Sequence, residues 1–379
     1  MRLLVVNAGS SSLKLSVLEP DDRVAADRDL DSPRGRPDLD ALEVFMAEAG
    51  DFDASVHRLV HGGDEFRESC AVDDAALERL EALGELAPLH NRAAVAALRR
   101  IRELRPDLPA VACFDTAFHA TLPAGASVYA IPYEWTERFD IHRFGFHGLS
   151  HAYAARRAAE MLGRGSEGLR VVTCHLGSGA SLAAVRDGRS LDTTMGFTPL
   201  EGLVMATRSG SVDPGAVLWL VNHAGISVDE IGAVLTRHSG LLGVSGVSGD
   251  MREVLGAADG GNERARLALE VYLHRLRGAI ASMAAAAGGL DALVFTAGVG
   301  ERSPRIRAAA CAGLGFLGVA LDEGANADPP RPDADLTAPG AAVRTLVVEA
   351  REDLEMAQEA RRVLGATTGV DERAESHRG

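Results

Sequence analysis

Apolar residues occur along the chain in short runs that end at small or polar turn residues, and this pattern predicts strands alternating with helices. The clearest stretch is LLVVNAGSSSLKLSV, residues 3–17, in which two apolar runs flank Gly9 and three serines. Glycine allows backbone conformations closed to other residues, so such a turn can point consecutive N–H groups at an anion. We therefore interpret residues 3–17 as a phosphate-holding β-hairpin, with Ser12 and Lys14 among its donors. An ordinary hairpin turn is the alternative.

The same pattern returns at residues 171–185, VVTCHLGSGASLAAV, where Gly177 occupies the position that Gly9 has in the first copy. A third apolar run at residues 291–300, DALVFTAGVG, is predicted to be a strand that ends in small residues. Two such copies indicate a duplicated domain that holds a nucleotide between the two turns. The chain has neither a Walker A motif nor a Gly-x-Gly-x-x-Gly sequence opening a helix, which argues against the P-loop and dinucleotide-binding folds.

Hydrophobic periodicity predicts further elements between and after the hairpins. Strands are predicted at residues 55–63, 110–119 and 342–349, and the second of these delivers Asp115 at its carboxyl end, where α/β sheets place ligand sites. An N-cap is the alternative role for that carboxylate. Helices are predicted at residues 39–49, 73–83, 90–104, 151–162, 213–223, 227–237, 262–287, 304–313 and 351–364.

Four stretches lack regular periodicity. Residues 20–37 are predicted to form a solvated connection, residues 239–252 a glycine-rich loop, and residues 366–379 a disordered tail. Residues 192–214 have too many Gly, Thr and Pro for regular structure and too many apolar residues for disorder, so we predict a long, ordered, functional loop. Arg208 is its only fixed cation, and the alternative for Arg208 is a surface ion pair with an acid such as Asp213.

Composition narrows the class of protein. The 379 residues are about twice a usual domain length, and 46% are hydrophobic, which is enough for two cores. A formal net charge of −15 argues against nucleic acid or an anionic membrane as a partner. The four cysteines are widely spaced and are interpreted as reduced core residues. The first hydrophobic run breaks at Asn7 and does not resemble a signal peptide, so we expect a cytoplasmic protein.

Histidines cluster at residues 142–151, HRFGFHGLSH. His147 and His151 are four residues apart and could face a metal from one side of a helix, but no third ligand with the expected spacing follows. The competing interpretation is that His147 donates a hydrogen bond to phosphate. Gly145 and Gly148 favour a loop that opens the helix.

Several of these motifs, taken together and in order, resemble the acetate and butyrate kinase family, which lies in the superfamily of sugar kinases, actin and heat-shock chaperone ATPases. They are NAGSSSLK, HRLVHGG, FDTAFH, RFGFHGLSH, HLGSGAS, DTTMGFTPLEGLVMATRSG, SGLLGVSG, DMR and FTAGVGERS. The resemblance implies an α/β fold of two duplicated ribonuclease H-like (actin-like ATPase) domains around a nucleotide cleft. Its implied domains are residues 1–149, with the last helix at about 352–365 packing back on them, and residues 150–365.

The resemblance implies reversible, direct in-line transfer of a phosphoryl group from ATP to acetate, giving acetyl phosphate and ADP. It assigns Arg58 and Arg208 to the carboxylate and the moving phosphoryl group, His147 to the phosphoryl oxygens, and Asp115 to orienting the arginine. His90 matches a further active-site histidine. The small pocket around the acetate methyl is implied to consist of Val60, Leu89, Phe146 and Pro199.

The resemblance also implies a Mg²⁺ ion, with Mn²⁺ as a substitute, held near Asn7 and Glu352. The implied nucleotide-binding residues are Ser12, Lys14, His175, Leu176, Gly177, Ser178, Gly179, Asp250, Met251, Arg252, Gly298, Val299, Gly300, Glu301 and Arg302. The family usually has other residues at Ser178, Ser211 and Arg302, and all three positions lie next to the implied ligand loops. A homodimer through the second domain is implied as well. A propionate kinase is one alternative, and an ATP-driven conformational switch without an acyl acceptor is another.

Overall fold

The computed structural model describes residues 1–9, 12–32, 36–85, 91–329 and 333–376. Its strands are β1 (Leu3–Ala8), β2 (Ser12–Leu18), β3 (Val24–Asp31), β4 (Ala54–Leu59), β5 (Cys70–Ala71), β6 (Ala110–Phe114), β7 (Arg170–Leu176), β8 (Ala180–Arg186), β9 (Arg189–Thr193), β10 (Ala292–Thr296), β11 (Ala334–Asp335) and β12 (Arg344–Val347).

Its helices are α1 (Leu39–Ala49), α2 (Asp74–Ala82), α3 (Asn91–Leu104), α4 (Ala124–Ser127), α5 (Tyr133–Phe139), α6 (Gly148–Met161), α7 (Pro214–Ala224), α8 (Val228–Arg237), α9 (Gly240–Ser245), α10 (Met251–Asp259), α11 (Glu263–Ala286), α12 (Ala297–Arg302), α13 (Pro304–Ala312), α14 (Glu323–Ala327) and α15 (Glu352–Ser376). None of the helices in the described ranges has the length and apolarity needed to cross a bilayer.

The strands form two six-stranded sheets with the same topology. The first sheet has the order β3-β2-β1-β4-β6-β5, and the second has the order β9-β8-β7-β10-β12-β11. In each, three strands form an antiparallel meander, two parallel strands follow, and a two-residue strand pairs antiparallel at the far edge. This repetition is the duplication that the two glycine-serine hairpins predict.

The chain divides into two compact units. The first contains residues 1–120, 147–153 and 351–379, and the second contains residues 121–146 and 154–350. In this division residues 121–146 group with the second unit, and the boundary expected after residue 149 stays a prediction. Helix α15 groups with the first unit.

Each face of the first sheet is covered by apolar residues. One face packs in a core with α1, α2 and α3, which includes Phe45, Leu80 and Leu98. The other face packs against α15 through Met356 and Ala360, each 0% exposed. Because successive residues of a strand point to opposite faces, strands buried on both sides read as continuous apolar runs, as LLVV and AVACF do.

The structure differs from the predicted elements at several places, including the following four. Residues 24–31 form β3 rather than a solvated connection, because β3 pairs through its backbone with β2 while most of its side chains stay exposed. The third apolar run ends as a strand at Thr296, and residues 297–302 are helical. The glycine-rich loop contains α9. Helix α15 continues to Ser376, into the stretch for which disorder was predicted.

Candidate active site

Three polar side chains meet at the carboxyl edge of the first sheet. Strands β1, β4 and β6 run parallel, with Asn7 opposite Arg58 and Arg58 opposite Cys113. Asp115 directly follows β6, and its backbone N–H still donates to the Leu59 carbonyl at 3.0 Å. Because the carboxyl ends of parallel strands share one edge, three segments far apart in sequence deliver Asn7, Arg58 and Asp115 to one place.

Arg58 contacts both other polar side chains of this group, and Glu352 as well. Its Nε and Nη2 donate to the two carboxylate oxygens of Asp115 at 2.8 and 2.7 Å, and its Nη1 donates to Asn7 Oδ1 at 2.9 Å. Glu352, at the start of α15, lies 3.4 Å from the same Nη1 and accepts a hydrogen bond from Asn7 Nδ2 at 2.9 Å. The two-pronged pairing with Asp115 fixes the plane of the guanidinium.

Burial and charge act in opposite directions on this cluster. The side chains of Arg58 and Asp115 are 13% and 1% exposed. Burial acts to lower the pKa of the Arg58 guanidinium, but the charges of Asp115 and Glu352 outweigh burial and raise that pKa above its ordinary value. Burial raises the pKa of the Asp115 carboxyl, with the Arg58 charge opposing the shift. Arg58 therefore remains a buried cation across the physiological pH range.

Asn7 and Glu352 supply oxygen atoms of the kind that Mg²⁺ prefers. Their side chains are in contact at 2.9 Å, so an amide oxygen and a carboxylate lie within one small group. Mg²⁺ in phosphoryl-transfer enzymes is usually held by one or two carboxylates, water and substrate phosphate rather than by a full protein cage. The amide oxygen of Asn7 and the carboxylate of Glu352 therefore fit as ligands of a Mg²⁺ ion.

His147 stands directly before α6, in contact with Asp115. Its φ of 56° is in the left-handed region, which is uncommon for a residue other than glycine, and its backbone N–H donates to the Asp115 carboxylate. The next residue, Gly148, donates its N–H to the Asp115 carbonyl at 2.9 Å. A Cβ on Gly148 would lie 2.1 Å from that carbonyl oxygen, so only glycine fits there. The HG pair of the histidine motif thus anchors His147 beside the Arg58–Asp115 pair.

Val60 is buried just after β4, and Asn91 holds its backbone. Asn91 Oδ1 accepts from the N–H groups of Val60 and His61 at 3.1 and 3.2 Å, while Asn91 Nδ2 donates to the His61 carbonyl at 2.9 Å. Asn91 is 0% exposed and has a positioning role that the sequence analysis missed. Leu89 and His90, which precede it, lie outside the described residues.

The two strands of the first hairpin are paired as predicted, whereas Ser10 and Ser11 of its turn lie outside the described residues. The Gly9 N–H donates to the Ser12 carbonyl at 2.8 Å, and Lys14 stands opposite Asn7 in the β1–β2 ladder. Lys14 is exposed and Ser12 is half-buried. Both residues therefore flank the strand that carries Asn7.

The second unit contains a cavity of about 640 Å³, which is in the usual size range of ligand pockets. Three of the segments that the resemblance assigns to nucleotide contribute to its lining. The residues from those segments that line it are Gly177, Ser178, Asp250, Met251, Arg252, Gly298, Val299 and Arg302. Of the remaining predicted residues, His175, Leu176, Gly179, Gly300 and Glu301 stand next to these segments in the chain, outside the lining.

The turn of the second hairpin is closed tightly. The Gly177 N–H donates to the Gly179 carbonyl at 2.9 Å, and the Ala206 N–H donates to the Ser178 carbonyl at 3.0 Å. A Cβ on Gly177 would lie 3.6 Å from His175 Nε2. His175, the next-to-last residue of β7, is 9% exposed and stands opposite Thr296 of β10.

The other two lining segments begin helices. Asp250 caps α10 by accepting from the Arg252 N–H at 2.8 Å, and hydrogen bonds from Arg252 lower the pKa of the Asp250 carboxyl to about 2. Helix α12 follows β10 through Ala297, whose φ is 63°. The fully buried Arg307 of α13 donates to the carbonyls of Gly300 and Glu301 at 2.9 and 2.6 Å. Burial raises the pKa of Glu301, whose Oε1 accepts from the Ala350 N–H at 2.9 Å.

Arg208 lies in the long loop between β9 and α7, which has the irregular, ordered form that was predicted. Its Nη1 donates to the Pro199 carbonyl at 2.8 Å. Among the residues that the structure describes, no carboxylate lies within 4.0 Å of its guanidinium, so the alternative of an ion pair with Asp213 is not observed. Burial lowers the pKa of Arg208. The side chain is thus a half-buried cation that has no counter-charge within the part of the chain that the structure describes.

The predicted acyl-pocket residues are distributed over both units. Val60 belongs to the first unit, whereas Phe146 and Pro199 belong to the second. Phe146 is 1% exposed, and Pro199 is half-buried with its carbonyl turned to Arg208. The four cysteines are free, and three of them are buried, as expected for reduced core residues.

Comparison with protein families gives one clear match. The profile described as the Acetokinase family matches residues 39–358. The acetate kinase of Gloeobacter violaceus is 52% identical over 315 residues, which cover 83% of this chain and 77% of that protein. The acetate kinase of Trichormus variabilis is 43% identical over 400 residues, covering 95% of this chain and 98% of that protein.

Solved structures show the same relationship. A crystal structure of acetate kinase from Porphyromonas gingivalis has a TM-score of 0.88 at 36% identity, covering 96% of this chain and 99% of that one. A propionate kinase from Francisella tularensis has a TM-score of 0.86, also at 36% identity, covering 94% and 98%. The fold is therefore shared with both kinds of acyl kinase.

Proposed function

The chain belongs to the acetate kinase family and is an ATP:acetate phosphotransferase, and from this premise we propose how its residues divide the reaction. The observation that carries the proposal is the state of Arg208, a half-buried guanidinium with no carboxylate within 4.0 Å among the described residues. Such a cation is suited to bind an anion. Arg208 is proposed to bind the transferring phosphoryl group.

The reaction requires stabilisation of the negative charge on the transferring phosphoryl group rather than proton transfer. Acetate is already ionised at neutral pH, so its oxygen attacks the γ-phosphorus of ATP without a general base. A carboxylate O–P bond forms, the bond from the γ-phosphorus to the β,γ-bridging oxygen breaks, and ADP leaves with that electron pair. Cationic groups lower the barrier by stabilising the charge on the transferring phosphoryl, which is worth about 10³–10⁵ in rate for one arginine in related transfers.

The first unit is proposed to supply Arg58, Asp115 and His147. Asp115 holds the Arg58 guanidinium by two hydrogen bonds and also accepts the His147 backbone N–H, so one carboxylate orients both residues. Arg58 would bind the acetate carboxylate and the phosphoryl group, and the His147 imidazole would donate to the phosphoryl oxygens. His90 is proposed as a further active-site residue by the resemblance alone.

The second unit is proposed to bind ATP in the 640 Å³ cavity. The closed turn at Gly177 would place backbone N–H groups near phosphate, and the small residues Gly298 and Val299 at the start of α12 would leave room for adenine and ribose. Asp250, Met251 and Arg252 would form another part of the lining. His175, Leu176, Gly179, Gly300 and Glu301 would support these segments, and Ser12 and Lys14 would contribute from the first hairpin.

Asn7 and Glu352 are proposed to hold Mg²⁺, or Mn²⁺ in its place. Bound together with the phosphates, the ion would neutralise part of their charge and fix their orientation. Glu352 contributes a carboxylate, while Asn7 keeps that carboxylate in place through its own amide N–H.

Val60, Leu89, Phe146 and Pro199 are proposed to surround the acetate methyl. A propionate kinase activity is the second candidate, because the propionate kinase structure is as similar in sequence as the acetate kinase one, at 36% identity. One methylene is worth only about 1–3 kcal/mol in such a pocket, so both acids are expected to react.

A homodimer is proposed through helix α7. No residue of α7 is buried, although the helix is largely apolar, and Leu218 and Trp219 are 61% and 57% exposed. Val228, at the start of the next helix, is 71% exposed. A second copy of the chain is proposed to cover this face. Separately, we still expect a cytoplasmic location. Sedimentation analysis of Trp219→Asp should show a monomer where the wild type is a dimer; an unchanged mass would refute this interface.

The experiment that tests the function is hydroxamate trapping. The protein is incubated with ATP, Mg²⁺, hydroxylamine and acetate, propionate or butyrate, and hydroxamate is measured against a reaction without acid. Acetate should give the fastest hydroxamate formation, and Arg208→Ala should reduce it by at least tenfold. ATP hydrolysis without any hydroxamate would instead indicate the conformational-switch alternative, and full activity of Arg208→Ala would refute the role of Arg208.

A further inference from the structure

One hydroxyl closes a short segment of the loop that carries Arg208. The Tyr129 hydroxyl accepts a hydrogen bond from the Phe197 N–H at 2.9 Å and donates one to Glu201 Oε2 at 2.5 Å. Residues 197–201 are therefore held at both ends by the same oxygen atom. Burial raises the pKa of Tyr129, so the phenol keeps the proton that it donates.

The other oxygen of Glu201 is held by Arg143. Arg143 Nη2 donates to Glu201 Oε1 at 3.0 Å, and its Nη1 donates to the Met195 carbonyl at 2.9 Å. The same guanidinium stacks over the Tyr129 ring, 5.5 Å from its centre. Three side chains from two separate parts of the second unit thus hold one five-residue segment. We call Tyr129, Arg143 and Glu201 the loop clamp.

Gly196 shows how closely the loop clamp is packed. A Cβ at this position would lie 1.7 Å from Glu201 Oε2 and 2.1 Å from the Tyr129 oxygen. Any side chain here would displace the hydrogen bond between them. Close packing against Glu201 and Tyr129 therefore requires a glycine at position 196.

The centre of the clamped segment is Pro199, whose carbonyl accepts the hydrogen bond from Arg208 Nη1 at 2.8 Å. Within the described ranges this is the one hydrogen bond of the Arg208 guanidinium. The direction of that guanidinium consequently depends on where the Pro199 carbonyl is held. Among the described residues, no hydrogen bond or ion pair joins the loop clamp to Arg208 itself.

We propose that Tyr129, with Arg143 and Glu201, is a positioning residue that fixes the Pro199 carbonyl and through it the Arg208 guanidinium. This inference rests on the proposed role of Arg208 in binding the transferring phosphoryl group. Tyr129 and Arg143 lie 65 or more positions before Arg208 in the sequence. In this proposal they act on the reaction without touching substrate. The expected signature is a loss in kcat with little change in the KM for ATP.

The main test is Tyr129→Phe, which removes the hydroxyl and keeps the ring under Arg143. Misplacing a catalytic group by about 1 Å can cost about 100-fold, so kcat should fall by about 10- to 100-fold. The KM for ATP should stay within about twofold, because the nucleotide cavity is lined by other segments. Tyr133→Phe is the matched control, since Tyr133 is 63% exposed on α5, and it should retain wild-type kcat.

A double-mutant cycle separates positioning from general destabilisation. Added to Arg208→Ala, Tyr129→Phe should lower kcat by less than about twofold further. A full additional loss in that background would overturn the inference, as would wild-type kcat in Tyr129→Phe alone. If Arg208→Ala itself keeps wild-type kcat, the proposed role of Arg208 fails first, and the two failures are therefore distinguishable.

Glu201 gives a second variant in case Tyr129→Phe folds poorly. Glu201→Gln keeps one accepting oxygen for the Tyr129 hydroxyl and places an N–H donor where Arg143 now donates, whereas Glu201→Ala removes both contacts. We expect Glu201→Gln to recover part of the kcat that Glu201→Ala loses, at equal KM for ATP. Equal kcat in the two Glu201 variants would contradict a clamp that works through these hydrogen bonds.

Discussion

Two hydrogen bonds of 2.8 and 2.7 Å join Arg58, on β4, to Asp115, the residue directly after the neighbouring parallel strand β6. The pairing leaves Nη1 of Arg58 directed at Asn7 and Glu352. Because the guanidinium is fixed before substrate arrives, little reorganisation is needed during the reaction. This is the physical basis for expecting a large kinetic effect from a single residue.

Arg58→Ala and Arg208→Ala should each lower kcat far more than they weaken ATP binding, because their contacts with the phosphoryl group strengthen in the transition state. A loss of about 3–6 kcal/mol in transition-state stabilisation is expected, by analogy with removal of an arginine finger. Steady-state kinetics with varied ATP and acetate measure it. Arg105→Ala, on the surface of the first unit, is the control. Either active-site variant retaining more than about a tenth of wild-type turnover would contradict the assignment.

The acyl pocket is tested by comparing acids. Acetate should exceed propionate in kcat/KM, and Val60→Ala should narrow the difference by making room for one methylene, an effect of about 1–3 kcal/mol. Val95→Ala is a matched control, since Val95 is equally buried but lies in the core on α3. A wild-type preference for butyrate, or an equal effect of both variants, would argue against Val60 as a pocket residue.

Two residues that depart from the family pattern bear on the nucleotide. Ser178 and Arg302 both line the cavity of the second unit. Ser178→Asn should lower the KM for ATP by about fivefold at most, which corresponds to one neutral hydrogen bond of about 1 kcal/mol. Arg302→Asn should raise that KM by about two- to fivefold at low salt and less at high salt, since exposed charges are screened.

The measurement is the KM for ATP of both variants at two salt concentrations, beside wild type tested with pyrophosphate as donor. An unchanged KM in Arg302→Asn at low salt would remove Arg302 from the nucleotide site. Faster turnover with pyrophosphate than with ATP would overturn the proposed use of the cavity.

His57 predicts a pH dependence of stability. It is 0% exposed, its Nε2 lies 3.0 Å from Ser55 Oγ, and its Nδ1 has no hydrogen-bond partner among the described residues. Burial lowers the pKa of His57 from 6.5 to about 3. Below pH 6.5 the unfolded chain binds a proton that the folded chain does not, so the free energy of unfolding falls as the pH decreases towards 3.

Between pH 7 and pH 5 this contribution is about 2 kcal/mol, since each pH unit below 6.5 is worth about 1.4 kcal/mol. Denaturant unfolding at both pH values should show a smaller difference for His57→Gln than for wild type. His274→Gln, at an exposed position on α11, should leave the difference unchanged. An identical difference in all three proteins would show that His57 is not the group responsible.

The sequence predicted those parts of the site that lie at strand ends and in dense motifs. The apolar run at residues 110–119 predicted Asp115 at the carboxyl end of a strand. The roles of Asn7 and Arg58 were implied only by the family resemblance, and the structure adds that both lie on strands parallel to that one. The repeated glycine-serine turns predicted the duplicated topology. The edge strand β3 was missed because an exposed strand that pairs only through its backbone needs no hydrophobic alternation.

The contacts that hold the site in place were not predictable in the same way. Tyr129 and Glu201 are 72 residues apart, and no local pattern around either residue predicts their hydrogen bond. The buried Arg307 reads in sequence as an ordinary helical arginine, although it donates to the carbonyls of Gly300 and Glu301. Such pairs depend on tertiary packing, which a local pattern does not encode.

The first unit is assembled from three separate stretches of chain, and α15 supplies its final layer. During synthesis, Leu3, Val5 and Val56 are made long before Met356 and Ala360, the residues that cover them. At about 5–20 residues per second, the roughly 300 residues from Val56 to Met356 correspond to roughly 15–60 s on the ribosome. The nascent first unit thus carries an uncovered apolar sheet face for that period and lacks Glu352. We expect chaperone binding to this face during translation, and release when the last helix emerges.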